Sequence, residues 1–280
     1  MAELTRNGKM KKIFIILIIV GLGLFFWQGI YLPKNYGSAE EKLFSVEKGD
    51  NLFLVAESLE KENFIKSKCF FELYVFLRGA QGKLQAGEYL LSPAISVAEI
   101  AKKIIAGDIA KIIVTIPEGF TVAQIEEKLG LKLPGENLEG FLFPDTYQFP
   151  LRVSGAEVVE KMQANFQEKT KDLEINPEMV IMASLLEKEV KTKEEKELAA
   201  DVLWRRLEIG MPLQVDAAPE TYEKRGLPET PICNPGLESI MAAIYPKSSE
   251  YWYYLSTPEG ETLFSKTLEE HNIKKAKYLK

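Results

Sequence analysis

The sequence predicts an α+β protein carried behind a single N-terminal transmembrane helix, and three observations predict it. An uncharged apolar run lies near the N-terminus, strand-turn-helix patterns fill the stretch after it, and long amphipathic helices begin near Gly155 before a loop-rich, β-prone end. With 280 residues and 46% hydrophobic content, the chain has room for an anchor and one or two packed domains.

Residues 13–27, IFIILIIVGLGLFFW, carry no charge, and the following QGIYL extends the run to residue 32, about the 20 residues a helix needs to cross the hydrocarbon core. Arg6, Lys9, Lys11 and Lys12 precede it, so the positive-inside bias keeps residues 1–12 as a cytoplasmic tail and sends the remainder outside. Trp27, Gln28 and Tyr31 stand where a signal-peptidase site would need small residues, which favours an uncleaved anchor at 13–32 over a signal peptide. Residues 33–43 open with Pro33, Asn35, Gly37 and Ser38, a composition suited to a tether. The residues up to Leu32 carry a net +3, so the total of −6 leaves −9 on the exported part, which argues against nucleic acid as a partner. One histidine, His271, makes a zinc site of Cys/His type improbable, so no metal is expected. Cys69 and Cys233 could pair outside the membrane but read as buried small residues.

A module follows at residues 44–112. VEKGDNLFLVAESL (46–59) echoes IPEGFTVAQIEEKL (116–129) at a constant offset of 70, each reading as strand, glycine turn and amphipathic helix. Two unrelated units of a common type would look the same. Between them, residues 82–91 suggest a turn and strand, and residues 96–105 a helix with Val97, Ile100, Ala101 and Ile104 on its apolar side. The β-α-α-β-α order makes a compact α+β unit. Residues 113–280 then form a mixed helical and β domain. Helices are predicted at 157–171, 177–190 and 194–208, the last with Thr192 and Glu195 as a capping box and Gly210 as its stop.

The helix ending in ASLLEKEV (183–190) carries two glutamates. At 100° per residue, Glu189 continues the stripe of Met182, Leu185 and Leu186, whereas Glu187 falls beside Ala183 and Val190. A carboxylate at the edge of an apolar stripe loses hydration, so its pKa rises and it can hold a proton to donate near neutral pH. A solvated helix end with Glu189 paired to Lys188, Lys191 or Lys193 would give the same one-dimensional pattern, so both readings stand at this point.

LEGFLFPDTYQF (138–149), ASLLEKE (183–189), VLWRRLEIGMPLQVD (202–216), GLPETPICNPGLESIMAA (226–243) and TLFSKTLEEHN (262–272) together resemble the endolytic murein transglycosylase, or YceG-like, family. The resemblance covers nearly the whole chain in one order. It implies a single-pass membrane protein facing the cell wall, a LysM-like module at 44–112 and a catalytic domain at 113–280 that cuts the glycan strands of peptidoglycan. It implies that the essential acid is a glutamate of the E-K-E segment, with Glu189 favoured and Glu187 as the alternative or an assisting group. The residue after Glu189 is Val190, where lytic transglycosylases in general carry a small or hydroxyl residue.

By the same resemblance one carboxylate suffices. The C6 hydroxyl of the sugar attacks C1 and leaves a 1,6-anhydro-MurNAc end, with no cofactor, whereas a hydrolase needs two carboxyl groups. Gln214, Asp216, Tyr222, Asn234, His271 and Asn272 are candidate substrate-binding residues, each with hydrogen-bonding capacity and each also compatible with a turn, a cap or packing. Phe143, Pro144 and Trp204 read as core. Only residues 217–220 separate Asp216 from Thr221, a shorter stretch than the family usually carries, so one wall of a substrate groove is expected to be reduced. Glycan strands and the membrane are the implied partners, with cell-wall synthesis proteins as unnamed candidates. A non-catalytic wall-binding or division-complex scaffold is the alternative function.

Overall fold

The computed structural model describes residues 2–37 and 40–279. Ser38 and Ala39, inside the expected tether, lie outside the described residues, as do Met1 at the head of the expected tail and Lys280. The protein is a mixed α+β chain with one long apolar N-terminal helix, α1 (Ala2–Tyr31). Its segment Lys12–Tyr31 has a mean hydropathy of 2.5 and is long and apolar enough to cross a bilayer.

The chain divides into two compact units, residues 1–112 with 150–152, and residues 113–149 with 153–280. In the first, β1 (Lys42–Val46) pairs antiparallel with β2 (Gly87–Leu91), Lys42 opposite Leu91. Helices α2 (Leu52–Lys61), α3 (Lys68–Leu77) and α4 (Val97–Ala106) complete the unit. Asn51 caps α2 by accepting from the Phe53 and Leu54 amides, and Ser96 with Glu99 forms a capping box on α4. Phe44, Leu59, Phe71, Tyr89 and Ile100 fill the core, and the C-terminal end of α1 joins it through buried Ile30 and through Phe26 packed against it. The Tyr89 hydroxyl is buried there without cost because it donates to the Gln85 carbonyl at 2.6 Å. Cys69 is a correction to the sequence reading. It is exposed in the first turn of α3, two residues past the Ser67 cap, whereas Cys233 is buried and both thiols are free.

The second unit contains α5 (Val122–Leu129), α6 (Gly155–Thr170), α7 (Pro177–Glu189), α8 (Lys193–Glu208), the single turn α9 (Glu220–Glu223), α10 (Leu237–Ile244) and α11 (Leu268–Tyr278). Two short strands, β3 (Lys111–Thr115) and β4 (Thr146–Pro150), form a two-stranded sheet, and β5 (Tyr253–Ser256) pairs antiparallel with β6 (Thr262–Ser265). Residues 180–186 of α7 are buried on every side, so this helix is central to the unit. Met182, Leu185 and Leu186 pack with Leu203 of α8, Leu213 and Ile240 of α10. Phe143 belongs to this core, Pro144 is buried beside it, and Trp204 packs on it while its indole donates to the Ala243 carbonyl at 2.9 Å. The Thr192–Glu195 capping box is present, and Glu195 also accepts from the Thr262 amide, which ties the start of α8 to β6.

Candidate active site

α7 starts at an Asn176 cap with Pro177 in its first turn and stays helical through Glu189, after which Val190 is extended (φ −134°, ψ 150°). The two glutamates therefore keep their helical separation and meet different surroundings. Glu187 turns inward: Oε2 accepts from the Gly236 amide at 3.0 Å and the Ser239 hydroxyl at 2.6 Å, and the carboxylate pairs with Lys196 at 3.4 Å. Gly236 and Ser239 open α10, so this carboxylate fixes that helix N-terminus against α7 and α8.

Glu189 lies on the wall of a cavity of about 250 Å³. Its Oε1 accepts from the Ala217 amide at 3.0 Å. Burial pushes its pKa up and the neighbouring Asp216 charge adds to that. The Ala217 and Asp216 amides pull the other way, and the net direction is above the ordinary carboxylate range. The Ser256 hydroxyl donates to the Glu189 backbone carbonyl at 3.2 Å, anchoring the helix end to β5.

Gln214, Asp216, Tyr222 and His271 line the same cavity as Glu189. Gln214 holds a left-handed backbone (φ 57°), and its amide donates to the Thr221 carbonyl at 3.2 Å, closing the short loop around Asp216. The Tyr222 hydroxyl donates to Asp216 Oδ1, and burial together with that carboxylate pushes the phenol up to about 12. His271 stacks on Tyr253 at 5.4 Å, its Nδ1 is buried with no hydrogen-bond partner among the described residues, and burial lowers its pKa, which favours the neutral ring at pH 7. Glu187, Asn234 and Asn272 are not on this wall. Asn234 is buried, with Oδ1 accepting from the Leu142 amide at 2.9 Å and Nδ2 donating to the Phe120 carbonyl and Glu139. Asn272 is exposed on α11.

Six further residues complete the wall: the polar Arg206, Tyr254, Ser256 and Lys275, and the apolar Leu255 and Leu279. Arg206 is buried and spends its guanidinium on carbonyls, donating to Leu213 at 2.7 Å and Trp252 at 3.0 and 2.7 Å, so it stays charged with no carboxylate partner among the described residues. The Tyr254 hydroxyl is buried with no hydrogen-bond partner among the described residues, and burial and the Glu189 charge raise its pKa. The aromatic run at 251–254 and the double arginine of WRRLE were the available signals. Nothing in one dimension says which arginine or which tyrosine turns inward. A larger cavity of about 690 Å³ lies by Val122, Leu138, Ile181 and Pro231. Its half-buried Glu139 is also pushed up but accepts from the Val122 amide and Asn234, so it is a structural carboxylate. Chemically, the smaller cavity offers one desolvated carboxyl as proton donor, a neutral imidazole, two phenols and a fixed positive charge. Among the described residues there is no group of His, Cys, Asp and Glu able to hold a metal ion.

A profile described as the YceG-like family matches residues 44–220 and 219–277. The endolytic murein transglycosylase of Bacillus subtilis (strain 168) is 28% identical over 330 aligned positions, covering 94% of this chain and 91% of that protein. A protein of the same name from Streptococcus pneumoniae (strain D39) is 23% identical, covering 95% of this chain, which spans 64% of that relative's length. A crystal structure of a yceG-like protein from Listeria monocytogenes superposes with a TM-score of 0.50 at 27% identity, over 84% of this chain and 99% of that one.

Proposed function

The chain belongs to the YceG-like family, and on that premise we propose that it is a membrane-anchored endolytic lytic transglycosylase that cuts the MurNAc-GlcNAc bond of peptidoglycan glycan strands. Its relatives are named as murein transglycosylases, and the raised carboxyl of Glu189 in the wall of an open polar cavity is the observation that carries the reading for this chain. Residues 13–32 cross the membrane with residues 1–12 in the cytoplasm, residues 44–112 form the LysM-like module, and residues 113–280 carry the chemistry outside.

In this mechanism Glu189 donates its proton to the glycosidic oxygen as the C1–O bond breaks. The resulting carboxylate then takes the proton of the C6 hydroxyl as that oxygen bonds to C1. No water is consumed, the product ends in 1,6-anhydro-MurNAc, and the attached nucleophile replaces a second catalytic residue through proximity. Asp216 shares the cavity but is engaged by Tyr222, which suits it to orienting substrate or the loop around Ala217. Tyr222, Gln214 and His271 present hydrogen-bonding groups for sugar hydroxyls and N-acetyl groups.

The test is digestion of purified peptidoglycan by the full chain in detergent, with products read by mass spectrometry. Anhydro ends are expected. Reducing ends would instead indicate water attack, with Asp216 as the second carboxyl group. A folded sample that yields no products would favour a wall-binding scaffold.

A further inference from the structure

The outer turns of α1 are packed against the first unit over the residues that the membrane span needs. The Phe70 ring of α3 covers Gly29 so closely that a Cβ there would meet it at 2.4 Å. The same ring lies 5.5 Å from Phe25 and 5.8 Å from Phe26, and Tyr74 one turn later lies 6.3 Å from Tyr31. Ile30 is only 5% exposed. The apolar segment starts at Lys12 and ends at Tyr31. A hydrocarbon core of about 30 Å takes about 20 residues at 1.5 Å each, so the whole segment is required. Phe25, Phe26 and Gly29 then sit about 9, 7.5 and 3 Å below the level of Tyr31, and Phe70 must lie at the same depth. Exposed Trp27 and Tyr31 are residue types that settle at the membrane-water boundary.

We infer that the corner between α2 and α3, residues 61–70, is a membrane-interface surface whose occupant is the anionic phospholipid headgroup layer of the outer leaflet. The inference rests on the reading that α1 spans the bilayer and is independent of the proposed chemistry. Lys34, just past the span, holds the corner in place, with Nζ donating to Asn63 Oδ1 at 3.0 Å and to the Ile65 carbonyl at 3.2 Å. Lys66 is exposed and Lys68 half-buried on the same corner. Lys61, Lys66 and Lys68 face the single acid Glu62 within residues 61–70, and with Lys34 the four lysines outnumber Glu62 and the flanking Glu60 and Glu72, against the acidic balance of the exported chain as a whole. Basic residues at that level are attracted to anionic lipid, while Phe70, buried against Gly29, Phe25 and Phe26, fixes the corner at that depth. The first unit is thereby held on the bilayer, and the approach of the glycan begins at the headgroup level.

Cys69 makes the inference testable, because it is exposed at this corner while Cys233 is buried. The full chain would be reconstituted in vesicles of phosphatidylglycerol and phosphatidylcholine, with a nitroxide on Cys69. Its collisions with membrane-soluble oxygen and a water-soluble nickel chelate would then be compared. The reference label is Gln81→Cys in a Cys69→Ser background, an exposed position beyond the far end of α3. The nickel chelate should reach Cys69 about fivefold less than the reference. Lys66→Glu with Lys68→Glu should shift the Cys69 label toward water in vesicles containing phosphatidylglycerol but not in pure phosphatidylcholine. Equal nickel access at both positions, or a charge-reversal effect indifferent to lipid charge, would overturn the inference. Carbonate extraction of the same vesicles reports separately whether α1 is inserted, and no glycan enters the experiment, so a failure of the proposed activity would not be confused with it.

Discussion

Glu187 and Glu189 are two positions apart on one helix and have opposite surroundings, which separates what their substitution should do. Glu189→Gln keeps the shape and the acceptor for the Ala217 amide but removes the transferable proton, so cleavage should fall at least about 100-fold with the fold intact. Glu187→Gln leaves Lys196, 3% exposed, without its charge partner, so the expected loss is in stability, about 3 kcal/mol by denaturant unfolding. Activity per folded molecule should change by only a few-fold. An inactive but stable Glu187→Gln enzyme beside an active Glu189→Gln enzyme would show the assignment to be reversed. The pH dependence has a definite sign. Because the folded-state pKa of Glu189 is raised, its neutral form contributes stability that is fully present below the ordinary carboxylate pKa and lost as pH rises through the raised value. The proposed acid function should disappear over that same upper limb. Unfolding curves measured across this window should therefore show a falling limb in the natural chain that Glu189→Gln makes shallower, the remainder coming from Glu118 and Glu139, whose carboxyls burial also raises. Tyr254 offers a third comparison. Its buried, unpartnered hydroxyl costs folding free energy, so Tyr254→Phe should leave the protein as stable or up to about 1 kcal/mol more stable. If the hydroxyl meets the substrate or Glu189 during turnover, cleavage by the same variant should drop about tenfold. Unchanged cleavage would make it a packing residue only.

At the level of elements, the readable parts were those whose causes are local. The ends of α8 follow from Thr192, Glu195 and Gly210, and the start of α4 from Ser96 and Glu99, because a capping box satisfies helix amides within three residues. The paired units at offset 70 share a strand, a glycine of positive φ (Gly49 at 104°, Gly119 at 75°) and a side-chain-capped helix, so the echo corresponds to common local geometry. Cys69 was misread because its neighbours Phe70 and Phe71 are buried, and composition cannot say which residue of a helix turn faces out. The tie from α8 to β6 is equally invisible in one dimension, since Glu195 serves both its own cap and the Thr262 amide 67 residues away. Thr192→Ala should accordingly cost about 1 kcal/mol in thermal or denaturant unfolding. Cleavage should remain within about twofold, because Thr192 is not on the cavity wall. A large activity loss at unchanged stability would mean that the β5–β6 hairpin moves with this cap.

For the molecule as a whole, the cavity gathers residues from four stretches of chain, near 189, 206–222, 254–256 and 271–279. Motif likeness suggested Glu189, Gln214, Asp216, Tyr222 and His271 together, but only the tertiary packing shows that Asn234 and Asn272 stand apart from them. Polar residue types suit turns, caps and sites equally well, and burial decides between them. On the function proposed above, the anchor would add a property that no single unit has. A catalytic unit tied to the bilayer samples a small volume beside it, so strands attached to the same membrane meet it at a high effective concentration, whereas strands on another membrane meet it only by bulk encounter. The full chain reconstituted in vesicles that also carry membrane-linked nascent glycan should cut that glycan on the order of 100-fold faster than the same amount of chain in separate vesicles mixed with glycan-bearing ones. Solubilising both preparations in detergent should bring the two rates together, because the shared surface is then gone. Equal rates before detergent would mean that the anchor confers no proximity, and a difference that survives detergent would place its cause in the enzyme preparation instead of the membrane.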